Sequence, residues 1–181
     1  MLDKVKTENG MVQGVPAADN RITIFKGIPY AAPPIGELRW KPPQPASSWS
    51  GIRLCNEFSV QASQYPDPNS PDPAKNPSSE DCLYLNVLTP AKKATDKLPV
   101  MVWLHGGGLR YGNGNFPLSV NPGLPLHGVI QVNINHRLGV MGLIAHPLLS
   151  KESPQGVSGN YMFLDMIAAL RWVKNNIAAF G

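Results

Sequence analysis

VMVWLHGGG, residues Val100 to Gly108, runs an apolar segment straight into one histidine and three consecutive glycines. Both faces of Val100 to Leu104 are apolar, which predicts a buried strand rather than one with a solvated face. The glycines that follow reach backbone angles closed to other residues, and they let N–H groups come close to a ligand.

Toward the C-terminus, Leu109 to Pro125 reads as loop from its glycines and prolines, and Val129 to Asn135 (VIQVNIN) as a second strand. Met162, Met166, Ala169, Leu170, Val173 and Ile177 then fall on one face of a helix, started by Gly159-Asn160 and stopped by Phe180-Gly181. Strand, glycine loop, strand and helix in this order open an α/β sheet. Toward the N-terminus, residues 4 to 25 alternate loosely around Asn9-Gly10, a hairpin signal, and predict two or three short strands. Prolines from Pro29 to Pro45 break regular structure, and Trp40 and Trp49 are expected to pin this coil to the body as buried aromatics. Residues 63 to 79, SQYPDPNSPDPAKNPSS, have the composition of an exposed loop. Strand-like alternation resumes at Leu83 to Leu88, so residues 1 to 181 read as part of one domain.

Composition narrows the class. The net charge of +4 comes from scattered Lys and Arg with no basic run, which argues against nucleic acid as a partner. No window approaches the ~20 apolar residues of a membrane span, and the N-terminus lacks the apolar core of a signal peptide. Two cysteines, Cys55 and Cys82, do not make a disulfide framework, and no Asn-x-Ser/Thr site has a permitted middle residue. These features favour the cytoplasm; a periplasmic or secreted location requires that a signal peptide has been removed.

Six segments carry a resemblance over nearly the whole chain: FKGIPYAAPPIGELRWKPPQP (Phe25 to Pro45), Trp49-Ser50-Gly51, SEDCLYLNV (Ser79 to Val87), VWLHGGG, NHRLG (Asn135 to Gly139) and GNYMFLDMIAALRWVKNNIAAFG (Gly159 to Gly181). Together they resemble the type-B carboxylesterases, the α/β-hydrolase family of bacterial para-nitrobenzyl esterases, animal carboxylesterases and cholinesterases. SEDCLYLN is close to diagnostic, whereas HGGG is shared with hormone-sensitive-lipase-like esterases. The resemblance implies an α/β fold, the N-terminal part of an α/β-hydrolase. Short antiparallel N-terminal strands would lead into a mostly parallel central sheet with flanking helices, truncated before the GxSxG nucleophile elbow. Ser, acid and His follow in that chain order in such enzymes. All three are therefore expected beyond Gly181, leaving the 181 residues inactive without the remainder of the esterase polypeptide.

The implied function is a serine carboxylesterase that hydrolyses a small-molecule ester through an acyl-enzyme, with no cofactor and no metal. Backbone N–H groups of Gly107 and Gly108 are the implied oxyanion-hole donors, catalytic in that sense. Leu109 replaces a common aromatic and is implied to bind the acyl side of the substrate, while Arg110 is read as solvated. Residues 63 to 79 correspond to the lip of the active-site gorge. Arg39 with Glu80, and Arg137 with Asp165, are implied as structural ion pairs. The position of the usual partner of Cys82 falls at Ala62, with Cys55 seven residues early, so free thiols are expected. Gly156-Val157-Ser158-Gly159 imitates a nucleophile elbow, but Asn160 takes the place of its last glycine and no apolar strand leads into it. Ser158 is thus a loop hydroxyl near a helix start. Of His105, His127, His136 and His146, none is expected to be the catalytic base, and His105 is expected to pack or hydrogen-bond within its loop. The alternative is a non-catalytic cholinesterase-like binding or adhesion protein on the same fold, against which the intact glycines argue.

Overall fold

The computed structural model describes residues 1–65, 77–116 and 120–181. Most of the expected gorge-lip loop, residues 66–76, therefore lies outside the described residues. The hairpin of β1 (Lys4–Thr7) and β2 (Gly10–Gln13) turns at Asn9-Gly10, and β5 (Ile52–Leu54) joins it in parallel. Trp49 and Trp40 are half-buried rather than buried. They pin the coil through their indole N–H groups, which donate to the carbonyls of Met11 at 2.8 Å and Val140 at 3.3 Å.

The main sheet contains β3 (Val15–Pro16), β4 (Thr23–Pro29), β8 (Tyr84–Thr89), β9 (Val100–Leu104) and β10 (Ile130–Ile134), in the order β3-β4-β8-β10-β9. It is mixed: β3/β4, β4/β8 and β8/β10 are antiparallel, and the parallel part begins at β9/β10, where Val102 lies opposite Val132. Leu85, Val87 and Leu88 of β8 and Ile130, Val132 and Ile134 of β10 are fully buried, so the core lies at the centre of the sheet. A short parallel pairing joins β6 (Gln61–Ala62) to β7 (Ser78–Ser79), the two strands on either side of residues 63–77 in the sequence.

Among the described residues, four α-helices follow or flank the parallel strands: α1 (Gly123–Leu126), α2 (Gly139–Leu143), α3 (Pro147–Glu152) and α4 (Tyr161–Asn176). Two expectations change here. The strand β9 is not buried; Val100, Met101 and Leu104 are 39 to 48 % exposed. It is hydrogen-bonded to β10 on one side, and no strand among the described residues pairs with its other edge. An apolar strand is buried only where both neighbours and both faces are covered. In α4 the core face is Tyr161, Met162, Asp165, Ala169, Trp172, Val173 and Asn176, whereas Leu170 is 46 % exposed. Leu170 belongs to a second apolar stripe with Phe163 and Ile167, also exposed. Apolar residues nearly encircle this helix, so periodicity alone does not choose the face that packs.

Candidate functional site

Because β9 and β10 run parallel in register, with Ile134 opposite Leu104, the residues after them emerge side by side at one edge of the sheet. His105 follows β9 and His136 follows β10, and their rings stack at 4.3 Å with planes 10° apart. His105 Nδ1 lies 2.9 Å from the Gly106 carbonyl oxygen, and His136 Nδ1 lies 3.1 Å from that of Arg137. A carbonyl only accepts, so both imidazoles carry the proton on Nδ1. Their buried Nε2 atoms meet no partner among the described residues. Burial pushes His105 down to about 4, with His136 beside it adding to the shift, and burial lowers His136 as well. The pair is therefore neutral at neutral pH. His127 and His146 are exposed and lie elsewhere, His146 capping α3 through Nδ1.

The glycine loop turns sharply at this edge. Gly107 has φ +118°, and a methyl group on it would collide with the Tyr111 carbonyl. Its own carbonyl accepts from the N–H of Arg110 at 3.1 Å and of Tyr111 at 3.3 Å. Gly108 has φ +59° with open space around it. Among the described residues, the N–H groups of Gly106, Gly107 and Gly108 find no hydrogen-bond acceptor. Free donors on a tight, glycine-built turn are the elements from which an anion or oxyanion site is made. Leu109, at φ +65°, continues the left-handed run; its carbonyl accepts from Gly139 N–H at 2.8 Å, and its side chain is exposed.

A polar frame that sequence reasoning missed holds the following residues. Gln64 makes two bonds to Gly112: its Nε2 donates to the carbonyl at 2.9 Å and its Oε1 accepts from the N–H at 2.6 Å. Asn135 Oδ1 accepts from Gly114 N–H at 2.6 Å, and Asn86 Nδ2 donates to Asn115 Oδ1 at 2.9 Å. The available signal was asparagine within apolar strand sequence, since a buried amide must find partners.

Arg137 and Asp165 are both buried and joined by two bonds, Nη2 to Oδ1 at 2.7 Å and Nε to Oδ2 at 2.9 Å. The Arg137 N–H also donates to Oδ2, Nη1 donates to the Lys41 carbonyl, and the guanidinium lies over the Tyr161 ring. Burial pushes the Asp165 carboxyl up against the pull of Arg137. Arg39 and Glu80 form a similar fork at 2.6 and 2.7 Å, but near solvent. Ser158 Oγ bonds the backbone N–H and carbonyl of His146, tying its loop to the start of α3. Cys55 and Cys82 are buried and free, and burial raises both thiols, Cys55 to about 11. Among the described residues, no group of three or more His, Cys, Asp or Glu side chains is placed to hold a metal, and no helix is long and apolar enough to cross a membrane.

Comparison with known proteins adds an independent line. The model of the carboxylesterase family matches residues 2–181. The fumonisin B1 esterase of Sphingopyxis macrogoltabida is 46 % identical over 180 residues, covering 97 % of this chain and 32 % of that protein. The cocaine esterase of Oryctolagus cuniculus is 41 % identical over 191 residues, covering 97 % and 34 %. Among solved structures, a thermophilic PNB esterase superposes with a TM-score of 0.88 at 38 % identity, covering 100 % of this chain and 36 % of its own. A Geobacillus stearothermophilus carboxylesterase superposes with a TM-score of 0.85 at 38 % identity, covering 99 % and 36 %. These neighbours have the α/β-hydrolase fold. The chain thus spans about a third of the length of the relatives it matches.

Proposed function

The chain belongs to the carboxylesterase family, and from that premise we propose that it forms the oxyanion side of a serine esterase, all 181 residues lying in one α/β-hydrolase domain. The observation that carries this reading is the pair of N–H groups on Gly107 and Gly108, unengaged among the described residues, just beyond the end of a parallel strand. A serine attacking an ester carbonyl moves negative charge onto the carbonyl oxygen. Fixed donors stabilise that charge more than they stabilise the ground state. One such donor is worth about 2.7–4 kcal/mol of activation free energy. Collapse of the intermediate expels the alcohol and leaves an acyl-enzyme, which water hydrolyses through a second oxyanion at the same donors. No metal or cofactor is required.

The Ser, acid and His belong to the part of the family's length that these residues do not match. That same part is the partner we assign to the open edge of β9 and to the stripe Phe163, Ile167 and Leu170. Leu109 borders the donors and is assigned to the acyl side of the substrate, a small-molecule ester; the names of the relatives, esterases of fumonisin B1 and of cocaine, support that class. Arg39–Glu80 and Arg137–Asp165 serve as scaffold. Two buried free thiols fit a reducing cytoplasm.

The test is the polypeptide extended beyond Gly181. It should react with a fluorophosphonate probe and release p-nitrophenol from a p-nitrophenyl ester. A GxSxG segment that is absent, or present but unreactive, would favour a binding or adhesion protein instead.

A further inference from the structure

We propose that Gln64, His105 and His136 are positioning residues that set the direction of the Gly107 N–H. The inference rests on the oxyanion reading of Gly107.

The Gly106 carbonyl and the Gly107 N–H belong to one planar trans peptide, so fixing the carbonyl fixes the opposite direction of the N–H. His105 fixes it, donating from Nδ1 to Gly106 O at 2.9 Å. The ring cannot swing, because His136 lies flat against it at 4.3 Å and is itself anchored by Nδ1 to the Arg137 carbonyl. Arg137 is in turn gripped by Asp165 of α4. On the other side, the Gly112 Cα packs directly on the His105–Gly106 hydrogen bond; a methyl group there would collide with both His105 Nδ1 and Gly106 O. That close cover keeps water from competing for the bond.

Gln64 enters through a second peptide plane. The Tyr111 carbonyl and the Gly112 N–H share one unit. Its N–H is held by Gln64 Oε1 at 2.6 Å, and its carbonyl backs the Gly107 Cα closely enough to exclude a methyl group. Gln64 Nε2 completes the clamp by donating to Gly112 O at 2.9 Å. Gly107 is therefore set from two directions, by His105 through the peptide that precedes it and by Gln64 through the carbonyl behind it. Gln64 is held in place from its own side by β6, which ends two residues earlier at Ala62 and pairs with β7.

The test uses chain labelled with 15N in histidine, glycine and arginine. Two-bond 1H–15N spectra at pH 7 should find His105 and His136 protonated on Nδ1. Gln64→Ala should shift the Gly107 amide resonance and speed hydrogen exchange at the Gly112 amide at least about tenfold, without moving the Arg137 Nε signal that reports the buried pair. Gln64→Glu, which keeps the acceptor and loses the donor, should give an intermediate effect, and it decides the matter if Gln64→Ala disturbs the Arg137 signal. In the extended polypeptide the same substitutions should lower kcat for a p-nitrophenyl ester about tenfold with KM held within about twofold. A His105 protonated on Nε2, or a Gly107 amide indifferent to both Gln64 variants, would overturn the proposal. Absence of hydrolysis by the unsubstituted polypeptide would count against the esterase reading alone, since the spectra decide the positioning without turnover.

Discussion

Arg137 grips Asp165 through two parallel hydrogen bonds, and the two side chains are only 3 % and 0 % exposed. The pair joins the segment that follows β10 to the second turn of α4, and the spare guanidinium N–H reaches the Lys41 carbonyl in the proline-rich coil. One side chain thus ties together the sheet, the helix and the coil. Breaking such a pair leaves a buried charge without its counter-charge, which costs about 3–5 kcal/mol. Asp165→Ala should therefore lower the urea midpoint by that equivalent with little change in slope. A loss under about 1 kcal/mol would show that the pair is not a structural hub.

Arg39 and Glu80 repeat the geometry under different physics. Their side chains are 44 % and 27 % exposed, so water screens the pair and replaces much of what is lost. Arg39→Ala should shift the urea midpoint far less than Asp165→Ala does. A cost equal to that of Asp165→Ala would mean that exposure is not what separates the two pairs.

Gly107 and Gly108 differ in what surrounds them. A methyl group on Gly107 meets the Tyr111 carbonyl at a backbone angle that side chains avoid, whereas Gly108 has open space. Gly108→Ala should cost only the left-handed backbone term, about 1–2 kcal/mol. Gly107→Ala should cost more and displace the loop, visible as a change in the amide resonances of Tyr111 and Gly112. Equal melting temperatures for the two variants would refute the distinction.

The glycine turn, the two strands and the last helix were legible because glycine runs and apolar periodicity are local signals. The ion pairs were legible through the motif resemblance, since nothing local to Arg39 or Asp165 names a partner many residues away. The exposure of β9 was not legible: VMVWL specifies a strand with covered faces, and the cover is a property of its neighbours. The exposure of Leu170 has a related cause: α4 offers two apolar stripes, and the sequence does not say which one packs inward. Gln64 escaped notice because a lone glutamine in a polar stretch carries no pattern, and its importance arises only when folding brings it to Gly112.

The stacked histidines give the fold an acid sensitivity whose direction follows from burial. His105 is pushed from 6.5 down to about 4, and His136 is lowered too, so the unfolded chain binds protons more readily than the folded one. The contribution is fully present above about pH 6.5, where both states are neutral. It is lost as pH falls from there toward about 4, below which His105 is protonated in both states. Each unit of separation is worth about 1.4 kcal/mol, so the loss from His105 is on the order of a few kcal/mol at most. His105→Phe keeps a flat ring against His136 and removes the titrating group. Its urea midpoint should fall less between pH 7 and pH 4.5 than that of the unsubstituted chain, while carboxylate contributions cancel in the comparison. Parallel pH profiles for the two proteins would show that His105 is not buried as a neutral imidazole.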